Sequence, residues 1–227
     1  MPYEYTASSA NSRLLILLTD ESEESVKIVN RIIDRVIQIN FDGDAPKNRC
    51  FISVIGYNHN VRDLCSGWLK DLDASLLLRT ESQMKKVSDG VGGLIEVEVK
   101  QPVWIESTKH PISIDKYDKA VYFAQELSQK WSEDNYLSPI IIDCSEESHA
   151  NHAQEEIRQL KAITTRDGNV LFFGCHSKSV DVFEIYSKVP EEWKYKFRIL
   201  DIAESDYYDG LFNREHLDSI LSAIWFH

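Results

Sequence analysis

Leu14 to Leu18 is an unbroken aliphatic run between polar neighbours, and a helical period begins almost at once after it. A short run of this kind suits a strand buried on both faces, the interior position of a parallel sheet. The pattern predicts a strand over Arg13 to Thr19 and a helix over Ser22 to Asn40. In that helix Val26, Val29, Ile33, Val36 and Ile37 recur at spacings of three and four. Ser22 is a natural N-cap, and Glu23 and Glu24 suit the positive end of the helix dipole. Asp42 to Pro46 is rich in turn residues. A second apolar strand follows over Cys50 to Asn58, and Val61 to Cys65 reads as an antiparallel edge strand.

Leu69 to Gly93 shows no clear period and reads as irregular, with a turn at Asp89 to Gly93. Leu94 to Glu106 opens on strict alternation, the mark of a half-exposed strand. Ser113 to Trp131 is predicted helical, with Ala120, Ala124, Leu127 and Trp131 on one face. Ile140 to Ile142 is a buried strand ending at Asp143. His152 to Thr165 is a helix with Ile157, Leu160 and Ile163 inward, and Val170 to His176 is another apolar strand. Val180 to Tyr186 reads as peripheral, Tyr195 to Ile202 as the last strand and Glu215 to Trp225 as a closing helix. Apolar strands alternating with helices predict an α/β fold: a doubly wound, mostly parallel sheet with helices on both faces and one antiparallel edge strand. No linker or repeat interrupts the pattern. Residues 13–227 therefore read as one domain behind a loose lead-in, residues 1–12.

Composition narrows the function. The 227 residues carry a formal net charge of -12, with no basic run longer than Lys85-Lys86. Phosphate binding needs clustered Lys and Arg, so nucleic acid is excluded as the expected partner. Cys50, Cys65, Cys144 and Cys175 form no C-x-x-C pair, which argues against a structural zinc site and for core thiols. No stretch resembles a signal peptide or a membrane span, so a cytoplasmic, reduced protein is expected. There is no P-loop, no G-x-G-x-x-G and no G-x-S-x-G elbow around Ser22 or Ser145. Asp20 after a strand suggests an aspartyl nucleophile, but Ser22 stands where such phosphatases need a second Asp. Trp68, Trp104, Trp131, Trp193 and Trp225 read as core.

Ligands of open α/β sheets sit beyond the carboxyl ends of the strands. Asp20 and Ser22 would project there, beside the loops that follow Gly56, Lys109 and Ile142. Around these residues the chain resembles a von Willebrand factor A (vWA) domain of the bacterial stand-alone type. The resemblance rests on the strand-Asp20-x-Ser22 turn, on VIGYN at Val54 to Asn58, and on VSDGVGG at Val87 to Gly93. It rests further on QPVWIE at Gln101 to Glu106, and on a helix ending in Trp131, then SPIIIDCSEES and TRDGNVLFFGCH. It spans about Arg13 to His176.

The resemblance implies a Rossmann-like, non-enzymatic protein-binding module with a metal-ion-dependent adhesion site. That site is Asp-x-Ser-x-Ser, a Thr and a later Asp, holding Mg²⁺ or Ca²⁺. Here Asp20 and Ser22 match, and Glu24 replaces the second Ser. Ser113 or Asp115 lies nearest the Thr, and Asp143, Ser145 or Glu146 stands for the later Asp. The expectation is an altered, weak or lost metal site. A working Mg²⁺/Ca²⁺-dependent binder and a small metal-dependent hydrolase are the alternatives.

Converging carboxylates at Asp20, Glu21, Glu23, Glu24, Asp115, Asp143, Glu146 and Glu147 predict a strongly acidic tip. A Lys- or Arg-bearing protein partner would suit it, and Asp20→Asn would relieve repulsion. His149 and His152, with Asp143, could sketch a transition-metal site, although such loop histidines are more often solvated. His59, His110 and His176 have no companions at ligand spacing.

Overall fold

The computed structural model describes residues 7–88, 93–111, 113–176 and 184–185. Its centre is strand β1 (Arg13–Thr19), buried along its whole length. β1 pairs in parallel with β4 (Cys50–Gly56) on one side and β8 (Ile140–Ser145) on the other. β8 pairs in parallel with β9 (Leu171–His176). Among the described residues antiparallel strands stand at both margins, β5 (Arg62–Trp68) beside β4 and the short β10 (Glu184–Ile185) beside β9. The sheet order is β10-β9-β8-β1-β4-β5. The single antiparallel edge expected from the sequence is therefore joined by a second.

Alternation along β1 divides the core. Leu15 and Leu17 face a cluster with Val29, Ile32, Ile33 and Val36 of helix α1 (Glu23–Ile39) and Leu69 and Leu72 of α2 (Leu69–Ala74). Leu14, Ile16 and Leu18 face the other cluster. It holds Tyr117, Ala120 and Ala124 of α3 (Tyr117–Asp134) and Ile157 and Leu160 of α4 (Gln154–Ala162). Both faces of β1 are thus covered by helices, and an uninterrupted aliphatic run has no solvent side to offer polar residues. This is a mixed α/β architecture around a mostly parallel sheet.

Leu69 to Gly93 departs from the irregular reading. It contains α2 and strand β6 (Arg79–Ser88), which pairs antiparallel with β7 (Leu94–Val103) as a ribbon separate from the main sheet. Met84, Leu94, Ile95 and Val97 are exposed on it. A ribbon with both faces open demands no strict alternation, so β6 carries no legible period. The turn residues 41–46 likewise fold as a hairpin of β2 (Phe41–Asp42) and β3 (Ala45–Pro46). The helix expected from His152 starts later, after a short 3₁₀ turn at Ala150–His152. The strand and helix predicted over 195–202 and 215–225 lie outside the described residues, as does the turn at 89–92. Among the described residues no helix is long and apolar enough to cross a membrane.

The first residue of β1 carries a charge into the interior. Arg13 is 1 % exposed, donates Nη1 to the Ser138 carbonyl at 3.1 Å, and places Nη2 3.5 Å from the buried Asp167 carboxylate. Removing one partner of a buried ion pair leaves the other charge desolvated. Asp167→Asn is therefore expected to destabilise the protein by about 3 kcal/mol, read as a lowered urea midpoint at unchanged slope.

Candidate functional site

The turn from β1 into α1 is set by side chains that bind their own backbone. Asp20, fully buried, accepts the Ser22 N–H on Oδ1 at 2.9 Å and the Glu146 N–H on Oδ2 at 2.9 Å. Ser22 caps α1 by accepting the Ser25 N–H at 3.3 Å, and its hydroxyl donates to Ser25 Oγ at 2.7 Å. Glu21 is forced into the left-handed region at φ 63°. That conformation is costly for a residue with a Cβ and persists only where surroundings hold it. They do so here: the Glu21 carbonyl accepts the Thr108 N–H at 3.0 Å, and its buried carboxylate pairs with Arg62. The carboxylate also fills the space beside Gly56, where a Cβ would meet Glu21 Oε1 at 2.6 Å.

A second group gathers one strand over. β8 runs on to Ser145, so Asp143 lies within the strand, paired with Leu18, and not on a loop beyond it. Its carboxylate accepts the Tyr117 hydroxyl at 3.0 Å, with the Tyr57 hydroxyl at 3.4 Å. Burial, and then the nearby negative charge of Asp20, push the Asp143 carboxyl up to about 7 against the hydrogen bonds of the tyrosines and Ser145. Burial chiefly, then the charges of Asp143 and Asp20, also push the Tyr57 phenol up, so it remains a donor. His149 packs edge-on against both tyrosine rings, and burial pulls its imidazole down.

Ser145 and His176 are a pair that spacing alone does not reveal. Ser145 Oγ lies 2.9 Å from His176 Nδ1 and 2.8 Å from the Glu147 carbonyl. The Ser145 hydroxyl thus has the Glu147 carbonyl, the Asp143 carboxyl and the His176 ring as neighbours, and which of the serine and the imidazole donates to the other follows from the His176 tautomer.

The expected ligands separate. Asp20, Ser22, Asp143 and the backbone of Glu146 converge. Ser113 joins them indirectly, its N–H donating to the buried Asn58 at 2.8 Å. Asp115 is exposed, its N–H bound to Ser113 Oγ. Glu24 points along the helix surface to Lys27 at 2.8 Å, and Glu23 shares that lysine at 2.9 Å. Glu23 and Glu24 therefore do not concentrate charge at the tip, and Glu21 is neutralised by Arg62. Of the eight carboxylates read from the sequence, Glu21, Glu23 and Glu24 pair with basic side chains, and Asp20 and Asp143 accept hydrogen bonds in the interior.

Among the described residues no group of three or more His, Cys, Asp or Glu is placed to hold a metal ion. The donor chemistry agrees. Asp20 and Ser22 are satisfied by backbone and serine partners, and Asp143 by phenols, so the set does not fit an octahedral Mg²⁺ cage. His149 and His152 share a backbone bond, with His149 turned into the tyrosines. No protein-family model, curated protein or solved structure matches the chain.

Two outcomes follow from this geometry. Asp20→Asn would set an amide N–H₂ against a backbone N–H, so it is expected to destabilise by about 1–3 kcal/mol in a thermal melt, not to relieve repulsion. Asp143 binds its proton more tightly folded than unfolded. Its contribution is therefore fully present below pH 4 and is lost as pH rises through about 7. Wild type should lose up to about 1.4 kcal/mol per pH unit from this group between those limits. Asp143→Asn should remove that slope in urea titrations run across pH.

Proposed function

We propose that the chain is a non-enzymatic protein-interaction module of doubly wound, vWA-like build, with an altered divalent-metal site at the carboxyl edge of its sheet. One observation carries the reading. Asp20, at the position of the family's first metal ligand, spends both carboxylate oxygens on backbone N–H groups of two loops. A carboxylate so engaged serves as a structural tie, and the loops it joins become one surface. Three further contacts extend that surface: Thr108 to Glu21, Ser113 to Asn58, and Arg62 to Glu21. They add the loops after β4 and β7, at the crevice where open α/β sheets bind ligands.

The partner we infer is a protein bearing Lys or Arg at its contact. Exposed Glu147 and Asp115 and half-exposed Glu146 give this edge an acidic rim. Charge complementarity of this kind steers association and fades with salt, since the Debye length is about 8 Å at physiological ionic strength.

The test is affinity capture from an extract of the native source, with wild type and with Asp115→Asn/Glu146→Gln/Glu147→Gln. The reading expects a partner recovered by wild type at low salt, lost in the triple variant and weakened at 0.15 M salt. Equal recovery by both proteins would remove this edge as the binding surface. Calorimetric titration with MgCl₂ and CaCl₂ should give no saturable heat; a stoichiometric site lost in Asp20→Asn would instead establish the metal-dependent alternative.

A further inference from the structure

We propose that His59 and His110 form a two-histidine anchor for a borderline divalent transition-metal ion, of which Zn²⁺ is the type. The site is separate from the Asp20–Asp143 group and does not rest on the proposed partner surface. The two residues are far apart in sequence, and the fold sets their rings 5.1 Å apart between centroids at an interplanar angle of 79°. That separation is the one a shared ion requires. Zn–N bonds are about 2.0–2.1 Å and the imidazole centroid lies about 1.1 Å behind the ligating nitrogen, so two imidazoles on a tetrahedral ion stand about 5.2 Å apart.

Both rings are exposed, so an ion can reach them and their polar edges carry no desolvation debt. Their backbones are nevertheless fixed. Asn58, the neighbour of His59, is buried and accepts the Ser113 N–H at 2.8 Å, which ties the loop after β4 to the segment holding His110. The His110 N–H donates to Thr108 Oγ1 at 3.2 Å, and the Thr108 N–H donates to the Glu21 carbonyl at 3.0 Å. Two imidazoles at this centroid separation, carried on anchored loops, lose little freedom on turning their nitrogens to one ion, the general source of affinity in a preorganised site.

Imidazole selects Zn²⁺, Ni²⁺ or Cu²⁺ over hard Mg²⁺ and Ca²⁺. With two protein ligands the remaining positions are open to water, which distinguishes this site from a closed structural one. Binding requires neutral imidazoles, so it weakens as pH falls.

The experiment is isothermal titration of ZnCl₂ into the full chain, kept reduced with a phosphine, at pH 7.5 and at pH 5.5. One saturable site is expected, unaffected by millimolar MgCl₂ and much weaker at pH 5.5. His59→Ala and His110→Ala should each weaken it at least about tenfold, and the double variant should abolish it. Because both side chains are exposed, unchanged far-ultraviolet circular dichroism is expected in each variant. His149→Ala/His152→Ala should retain the site, which separates this pair from the other loop histidines. No saturable Zn²⁺ binding by wild type, equal binding by the His59→Ala/His110→Ala variant, or loss only in the His149/His152 variant would each overturn the proposal.

Discussion

The buried Asp20 carboxylate is the constraint on which the carboxyl edge depends. It sits at the end of the central strand and takes N–H groups from its own turn and from the turn after β8. Charge-assisted bonds of this kind are stronger than neutral ones, and a buried group that loses one keeps the full desolvation cost. With Asp20 spent in this way, Glu21 is driven to positive φ, and its carboxylate turns across Gly56 to Arg62. The loop after β7 then closes onto the Glu21 carbonyl. One side chain thus decides where several loops stand.

The same economy explains how an acidic chain tolerates carboxylates at its centre. Asp143 lies beside Asp20 and holds two phenolic donors while its own acidity is weakened by burial. Arg13, at the start of β1, pairs with Asp167 of the buried turn before β9. Glu23 and Glu24 share Lys27 on the helix surface. Most of these carboxylates are held pair by pair, while Asp143 keeps the repulsion of Asp20 and binds its proton more tightly for it. A tip so arranged has the polar groups of Asp20, Asp143 and Glu21 committed inward.

Asn30 shows how the rest of the edge is positioned. Its amide oxygen accepts the N–H groups of Trp104 and Ile105, and its amide nitrogen donates to the Ile105 carbonyl. This fastens the end of the β6–β7 ribbon to α1. The long segment that follows can then carry Thr108 and His110 to the sheet tip, where His110 meets His59.

The sequence by itself determined the central strands, the first helix and its Ser22 cap. Runs such as Leu14 to Leu18 are buried on both faces and leave a signal that needs no neighbour to interpret. Asp20 and Ser22 were legible as residues of the carboxyl edge because they follow such a strand directly. Strand β6 was not legible, since a ribbon open on both faces imposes no period, and helix α2, six residues long, is too short to show one. Asp143 looked like a loop residue because charge in a strand interior reads as its end; only the tyrosines packed over it make that burial possible. The His59–His110 and Ser145–His176 pairs, and the diversion of Glu24 to Lys27, were decided by the tertiary structure alone. Each depends on which loops the sheet order brings side by side, and spacing along the chain carries no record of that.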